Sequence, residues 1–221
     1  MDSVVNLTVH GIGPTHRELD TGEDATWVEV DQFEQVLDAA TGRPDVVITF
    51  DDGNLSDVEI ALPRLLKRGL KAEFFVLAGR LGEPGRLCAN SVRELVQAGM
   101  AVGSHGWAHR DWRRIDEKQA VEELIDAHRV LTEVTGNEVT RVAIPFGSYD
   151  RHVLRRLRRA GVTRAFTSDR GRARRHAWLQ ARNSLSRDLD AIWITNVLDR
   201  SPPAVRRARS LAARTVKRLR G

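Results

Sequence analysis

Thr49-Phe50-Asp51-Asp52-Gly53 closes the apolar run Val46–Phe50, and Ser104-His105-Gly106-Trp107-Ala108-His109 closes a second run, Ala101–Ser104. In each case polar, chemically capable residues stand immediately past a strand-like stretch. Two adjacent carboxylates and two histidines four apart supply a compact set of metal-type donors with one carboxylate to spare.

The same alternation extends in both directions. Strands are expected at Val4–Val9, Val46–Phe50, Ala72–Leu77, Ala101–Ser104, Val139–Ile144 and Thr163–Thr167. Helices are expected between them, at Asp31–Ala40, Ser56–Arg68, Ser91–Ala98, Glu117–Thr135 and Asp150–Ala160. Gly69, Gly99, Gly136 and Gly161 stand where helices should stop, since glycine accepts the left-handed turn that ends them. Ser56 and Ser91 are placed as N-caps. Nearly uninterrupted apolar strands alternating with helices predict a parallel sheet buried under helices, open or closed into a barrel. In such folds the chemistry gathers at the C-terminal strand ends. His10, Asp51, Asp52, His105, His109 and Pro145-Phe146-Gly147 all follow strands and should converge there.

At 221 residues the chain is long enough to bury one sizeable core. Cys88 is its single cysteine, so stability does not rest on a disulfide and a reducing compartment is acceptable. No run of apolar residues is long enough to span a bilayer, and Val4–Val9 is too short for a signal-peptide core. Cytoplasmic localisation is the expectation. The net charge of +5 conceals a division, because residues 1–150 carry 15 basic and 26 acidic side chains while residues 151–221 carry 20 and 4. The basic half could attract an anionic partner. No nucleic-acid motif accompanies it, so solvated surface is the favoured reading and no nucleic-acid partner is expected.

A hydrolytic metal site needs about three protein ligands and one open position. Asp52, His105 and His109 offer one oxygen and two nitrogens, a set suited to zinc or another divalent ion. Asp51 is then free to act as a general base toward water at the metal. Taken singly, Asp-Asp-Gly is more often a turn and His-x-x-x-His more often helix packing. Together, in order at strand ends, they favour a site.

These residues resemble the polysaccharide deacetylases, also called the NodB-homology domain or carbohydrate esterase family four. The first motif of that family stands here as Thr49 to Gly53, the histidine pair as His105 and His109, and the end of the third motif as Pro145-Phe146-Gly147. The resemblance covers roughly residues 4–170. It implies a deformed (β/α) TIM-like barrel with fewer than eight regular strands, filling residues 1–202. It implies Asp51 as catalytic base, Asp52, His105 and His109 as metal ligands, and the Phe146 amide, presented after Pro145, as oxyanion donor.

Three departures accompany the match. Gly106 replaces the usual Ser/Thr of the histidine loop, Ala143 replaces the arginine that normally holds the catalytic aspartate, and the late Leu-x-x-His motif that supplies the acid is absent. A subgroup of the family places its acid after the first strand, where His10 stands here. Arg182 is a candidate tether for Asp51, with a surface arginine as the alternative. Trp107 and Trp112 flank the histidine pair, and Trp107 is a candidate sugar-stacking residue with core packing as the alternative. Tyr149 resembles family members with a Gly-x-Tyr-Asp continuation and joins the candidate substrate-binding residues. Asp150 is expected to cap a helix, and Asp169 could line the cleft. His16, His128, His152 and His176 are read as surface or helix residues.

The function expected from this resemblance is metal-dependent removal of N-acetyl groups from an amino sugar in an oligosaccharide, polysaccharide or glycolipid intermediate. Two alternatives stand beside it: hydrolysis of O-acetyl esters or non-sugar C–N bonds, and a catalytically impaired member that binds glycan or protein. Residues 203–221 form a second unit with a basic amphipathic pattern. Such a helix could lie peripherally on the inner face of an anionic membrane, although its alanine-rich apolar face favours packing on the barrel or exposure to solvent.

Overall fold

The computed structural model describes residues 2–199 and 215–217. Seven parallel strands run β1 (Ser3–Val9), β2 (Val46–Phe50), β3 (Ala72–Val76), β4 (Ala101–Ser104), β5 (Arg141–Ala143), β6 (Arg164–Thr167) and β7 (Leu179–Ser184), each hydrogen-bonded to the next. β7 returns to β1 in register, Asn6 opposite Arg182 and Leu7 opposite Asn183, so the sheet closes. The fold is the expected deformed (β/α) barrel with fewer than eight regular strands. Between the open and closed sheets left by the apolar pattern, closure is decided by β7. The expected strands at Ala72, Val139 and Thr163 are each one to three residues shorter than read.

Helices cover the outside: α1 (Val30–Ala40), α2 (Leu62–Lys67), α3 (Ala89–Gln97), α4 (Glu117–Val121), α5 (Ala127–Thr135), α6 (Arg151–Arg159) and α7 (Ala191–Leu198). Two π-helical segments, Asp57–Ala61 and Glu122–Asp126, lead into α2 and α5. Strand periodicity sorts the side chains. Val5, Leu7 and Val9 of β1 join the helix-facing core, in which Phe50 stacks on Phe74 at 4.4 Å and meets Phe33 edge-on at 6.0 Å. A second cluster under α6 packs Val142, Ile144 and Leu157 around Trp112 and Tyr149. Phe75, Ala143 and Phe166 form a third, separate cluster. Burying this apolar area at about 25 cal/mol per Å² is the main force holding the layers together.

One cap assignment is corrected, and a second holds in position without a side-chain capping bond. Ser91 lies inside α3, whose N-cap is Cys88, because the helix begins earlier at Ala89. Ser56 precedes its helix, yet its hydroxyl accepts the Ile12 N–H instead of capping, which leaves the helix entry to the backbone. Asp150 does cap α6, accepting the Val153 N–H. Gly69, Gly99, Gly136 and Gly161 all adopt positive φ after their helices. The basic C-terminal helix expected over residues 203–221 lies outside the described residues except at 215–217. There Lys217 pairs with Asp169 at 2.8 Å. No helix among the described residues is long and apolar enough to cross a membrane.

Candidate active site

The C-terminal strand ends bring Asp51 and Asp52 (after β2), His105 and His109 (after β4), and His10 (after β1) to one point. The Asp52 Oδ1 lies 3.5 Å from His105 Nε2 and 3.7 Å from His109 Nε2. Asp51 Oδ2 lies 3.9 Å from His105 Nε2 and 4.0 Å from His10 Nε2. Asp52, His105 and His109 are the one group of three potential metal donors found among the described residues, with ligand atoms within 4.8 Å of one another.

Local geometry explains how the chain achieves this. Among the described residues four non-glycine positions have positive φ, and three of them, Asp52 (73°), His109 (57°) and Phe146 (58°), belong to this site. Such backbone is unfavourable and persists where surrounding contacts hold it. The His105 ring is fixed by a 2.8 Å hydrogen bond between Nδ1 and the Ala143 carbonyl. With Nδ1–H donating, Nε2 is the lone-pair nitrogen turned toward Asp52. The histidine loop is fixed from a third side by Glu123, whose carboxylate accepts the N–H groups of Trp107 and Ala108. Nothing in the sequence marks Glu123 out, since it sits in a helical stretch among charged residues.

Asp51 has a counterion from across the barrel. Arg182, on β7 and 1% exposed, donates from Nη1 to Oδ1 at 2.7 Å and from Nη2 to Oδ2 at 2.6 Å. Its guanidinium also lies over the rings of Phe75 and Phe166, at 5.4 and 5.8 Å, beside Ala143. The counterion of Asp51 thus comes from β7, while the position of the third-motif arginine is held by the buried Ala143. Burial pushes the Asp51 carboxyl up, but the charges of Arg182, His105 and His10 and the Arg182 hydrogen bonds outweigh it, so the group lies well below the usual carboxylate range. Asp52 is likewise lowered, its burial opposed by His105, His10 and His109. His109 is pushed down to about 4, by burial first and by the neighbouring His105 second, which leaves a neutral imidazole at pH 7.

His10 is held through its backbone. Its carbonyl accepts the Asn54 Nδ2–H at 2.7 Å, and the Asn54 oxygen in turn accepts from Arg17 and Arg86. Phe146 is 64% exposed, and its ring sits 4.3 Å from that of His109. The hydrogen bonds of its turn are made by Gly147 N–H to Ile144 and Ser148 N–H to Pro145, leaving the Phe146 N–H outside them.

Several candidates are placed otherwise than read. Tyr149 is 2% exposed and donates to Asp169, so it supports the loop from below and presents no surface to a ligand. Pro145 is also buried, starting the turn that exposes Phe146. Arg182, by contrast, fills the tethering role read for it, clamping Asp51 from the barrel interior, and is not a surface residue. Trp112 is core, its indole N–H donating to Glu123. Trp107 is half-buried and packs on Gly79, where a β-carbon would fall 2.4 Å from its Nε1. Asp169 spends its carboxylate on Tyr149, Thr167 and Lys217.

Comparison with known proteins points the same way. A family model described as polysaccharide deacetylase matches residues 38–165. The chain is 27% identical over 136 residues to YxkH of Bacillus subtilis, covering 62% of this chain and 49% of that protein. It is 25% identical over 123 residues to the peptidoglycan-N-acetylglucosamine deacetylase of Bacillus cereus, covering 55% and 42%. The chain thus spans about half the length of these curated relatives. Among solved structures, the Streptococcus pyogenes deacetylase PplD in complex with acetate superposes with a TM-score of 0.76 at 20% identity, covering 90% of this chain and 99% of that one. At that identity the likeness shows the fold.

Proposed function

The chain belongs to the polysaccharide deacetylase family, and from that footing we propose that it is a metal-dependent hydrolase removing N-acetyl groups from amino sugars. The observation that carries the reading is the position of Asp51: clamped by Arg182, ionised, and within 4.0 Å of both His10 and His105 beside a three-donor cluster. The Bacillus cereus relative is named for acting on N-acetylglucosamine in peptidoglycan, which supports an N-acetylated saccharide as substrate class.

The donor set fits a divalent ion of the zinc type. Tetrahedral coordination at about 2.1 Å separates ligand atoms by roughly 3.4 Å, and the two Asp52–histidine distances are 3.5 and 3.7 Å. Asp52 Oδ1 is buried and has no hydrogen-bond partner, as expected of an oxygen reserved for a cation. Asp52, His105 and His109 would hold the ion. Bound there, it would polarise the acetamide carbonyl and make an attacking water more acidic.

The remaining chemistry falls to the chain. Asp51 is the general base: kept ionised by Arg182, it takes the water proton at Oδ2, the oxygen that faces both histidines. The Phe146 N–H donates to the oxygen that gains charge as the carbonyl carbon becomes tetrahedral. His10 Nε2 gives a proton to the amine nitrogen as the C–N bond breaks, so that acetate and a free amino sugar leave. Phe146 and Trp107 supply apolar surface at the mouth, on which a sugar ring can rest. The experiment is acetate release from N-acetylated oligosaccharides by Asp51→Asn alongside the native protein. Release by the native chain and its loss in the variant support the assignment; equal release by both removes Asp51 as base.

A further inference from the structure

We propose that Glu123 is a positioning residue for the metal centre, a buried carboxylate that sets the histidine loop so that His109 meets His105 and Asp52 before any metal arrives. The inference rests on the reading of those three residues as metal ligands.

Glu123 is completely buried, at 0% exposure, in the π-helical segment between α4 and α5. Its Oε2 accepts the Trp107 N–H at 2.9 Å and the Trp112 Nε1–H at 3.1 Å. Its Oε1 accepts the Ala108 N–H at 3.0 Å and Arg110 Nη1 at 3.1 Å. Every one of these donors lies on the chain surrounding His109. A buried carboxylate is costly unless its lone pairs are met, and here four donors meet them. Glu123 lies in a single π-helical turn between two α-helical segments, a feature frequent at functional sites.

The loop is gripped from both sides. The carbonyls of Gly106 and Trp107 accept N–H groups from Ala78 and Gly79, while the following amides, of Trp107 and Ala108, go to Glu123. The next residue is His109, in its positive-φ conformation. Its Nε2 is thereby placed 3.7 Å from Asp52 Oδ1 by backbone held on a carboxylate that touches neither ligand. Gly106 completes the arrangement: a β-carbon there would stand 2.2 Å from Glu123 Oε2, so a side chain at 106 would push the Glu123 carboxylate off its donors. The absence of a hydroxyl residue at 106 is therefore matched by a loop anchor supplied from the neighbouring helix.

Glu123→Gln keeps the volume but must turn an NH₂ toward one pair of N–H donors. Groups hydrogen-bonded directly to a metal ligand change affinity by about 10–100-fold, and Glu123, acting through the backbone that carries His109, is expected to reach the lower end of that range. The test is zinc titration of metal-free native protein and Glu123→Gln against a competing chelator, with the cobalt-loaded forms compared by their visible d–d spectra. One tight zinc in the native chain, binding at least about ten-fold weaker in the variant, and an altered cobalt spectrum are expected. Equal affinity and an identical spectrum in a folded variant overturn the role of Glu123. Absence of zinc binding by the native chain overturns the metal reading itself, and the native titration alone distinguishes that failure. If Glu123→Gln does not fold, hydrogen exchange of the native metal-free protein decides: protected Trp107 and Ala108 amides support the anchor, and exchange at free-loop rates overturns it.

Discussion

Arg182 on β7 grips both carboxylate oxygens of Asp51 on the loop after β2, at 2.7 and 2.6 Å, from inside the barrel. The two residues are 131 positions apart and are brought together only by closure of the sheet. Removing one partner of a buried pair strands the other charge, at a cost of about 3–5 kcal/mol. Arg182→Met is therefore expected to lower the urea midpoint strongly. It should also cut kcat/KM by about 10²–10⁴-fold, the range of general-base catalysis. Arg182→Lys keeps the charge without the two-pronged geometry and should fall between. A variant as stable and active as the native chain would contradict the pairing.

The pH dependence follows with a definite sign. Asp51 is held below its ordinary range, so the pairing contributes stability above the unfolded carboxyl pKa and loses it as pH falls toward the folded value. With Arg182 removed, burial is left to push the carboxyl up. The acid limb of the kcat/KM profile of Arg182→Met is expected to move to higher pH, and an unmoved limb would argue against Asp51 as the titrating base.

His10→Ala should lower kcat by about 10²–10⁴-fold while zinc stoichiometry stays unchanged, because His10 is outside the donor triad. An aryl acetate, whose leaving group departs without a proton, should lose less than an acetamide. Equal losses on both substrates would remove the acid role.

Gly79→Ala places a β-carbon 2.4 Å from the Trp107 indole nitrogen, on the strand-end turn that also holds the Trp107 carbonyl. Overpacking of this kind costs about 1–3 kcal/mol. The expected outcome is a lower Tm with a raised KM for saccharide, since Trp107 must move. An unchanged Tm and KM would show that the indole is free to swing aside.

His128, half-buried on α5, has an unpartnered buried Nε2, and burial lowers its pKa to about 4. The unfolded chain takes up this proton near pH 6.5, so stability drains away as pH falls from there toward 4. His128→Leu should flatten this part of the Tm-against-pH curve between pH 7.5 and 5. The same slope in both proteins would place the group outside the linkage.

Most of the barrel and the centre of the site were legible because both depend on local pattern. Apolar runs such as Val46–Phe50 are strands wherever they are buried on both faces, and Asp51, Asp52, His105 and His109 announce themselves at their ends. β7 was not legible. Leu179-Gln180-Ala181-Arg182-Asn183-Ser184 mixes apolar and polar residues because its inward side chains are polar, Gln180 accepting from Asn6 on the neighbouring strand and Arg182 reaching across to Asp51. Its polarity, the mark of its function, hid it as a strand. α7 was missed as well, although Asp190 caps it and Ile194 and Leu198 bury one face. Tyr149 was misread because a motif position says nothing about which way a ring turns. Glu123 was invisible for the opposite reason: a glutamate in a helix is ordinarily solvated, and only the fold shows its four donors.

The most direct test strips the protein of metal, reloads it with zinc, and measures acetate release from N-acetylated and O-acetylated saccharides, with Asp51→Asn in parallel. Release from N-acetylated saccharides that requires zinc and disappears in Asp51→Asn is the predicted result. Tight stoichiometric zinc without acetate from any of these saccharides, or release indifferent to zinc and to Asp51, would contradict the account.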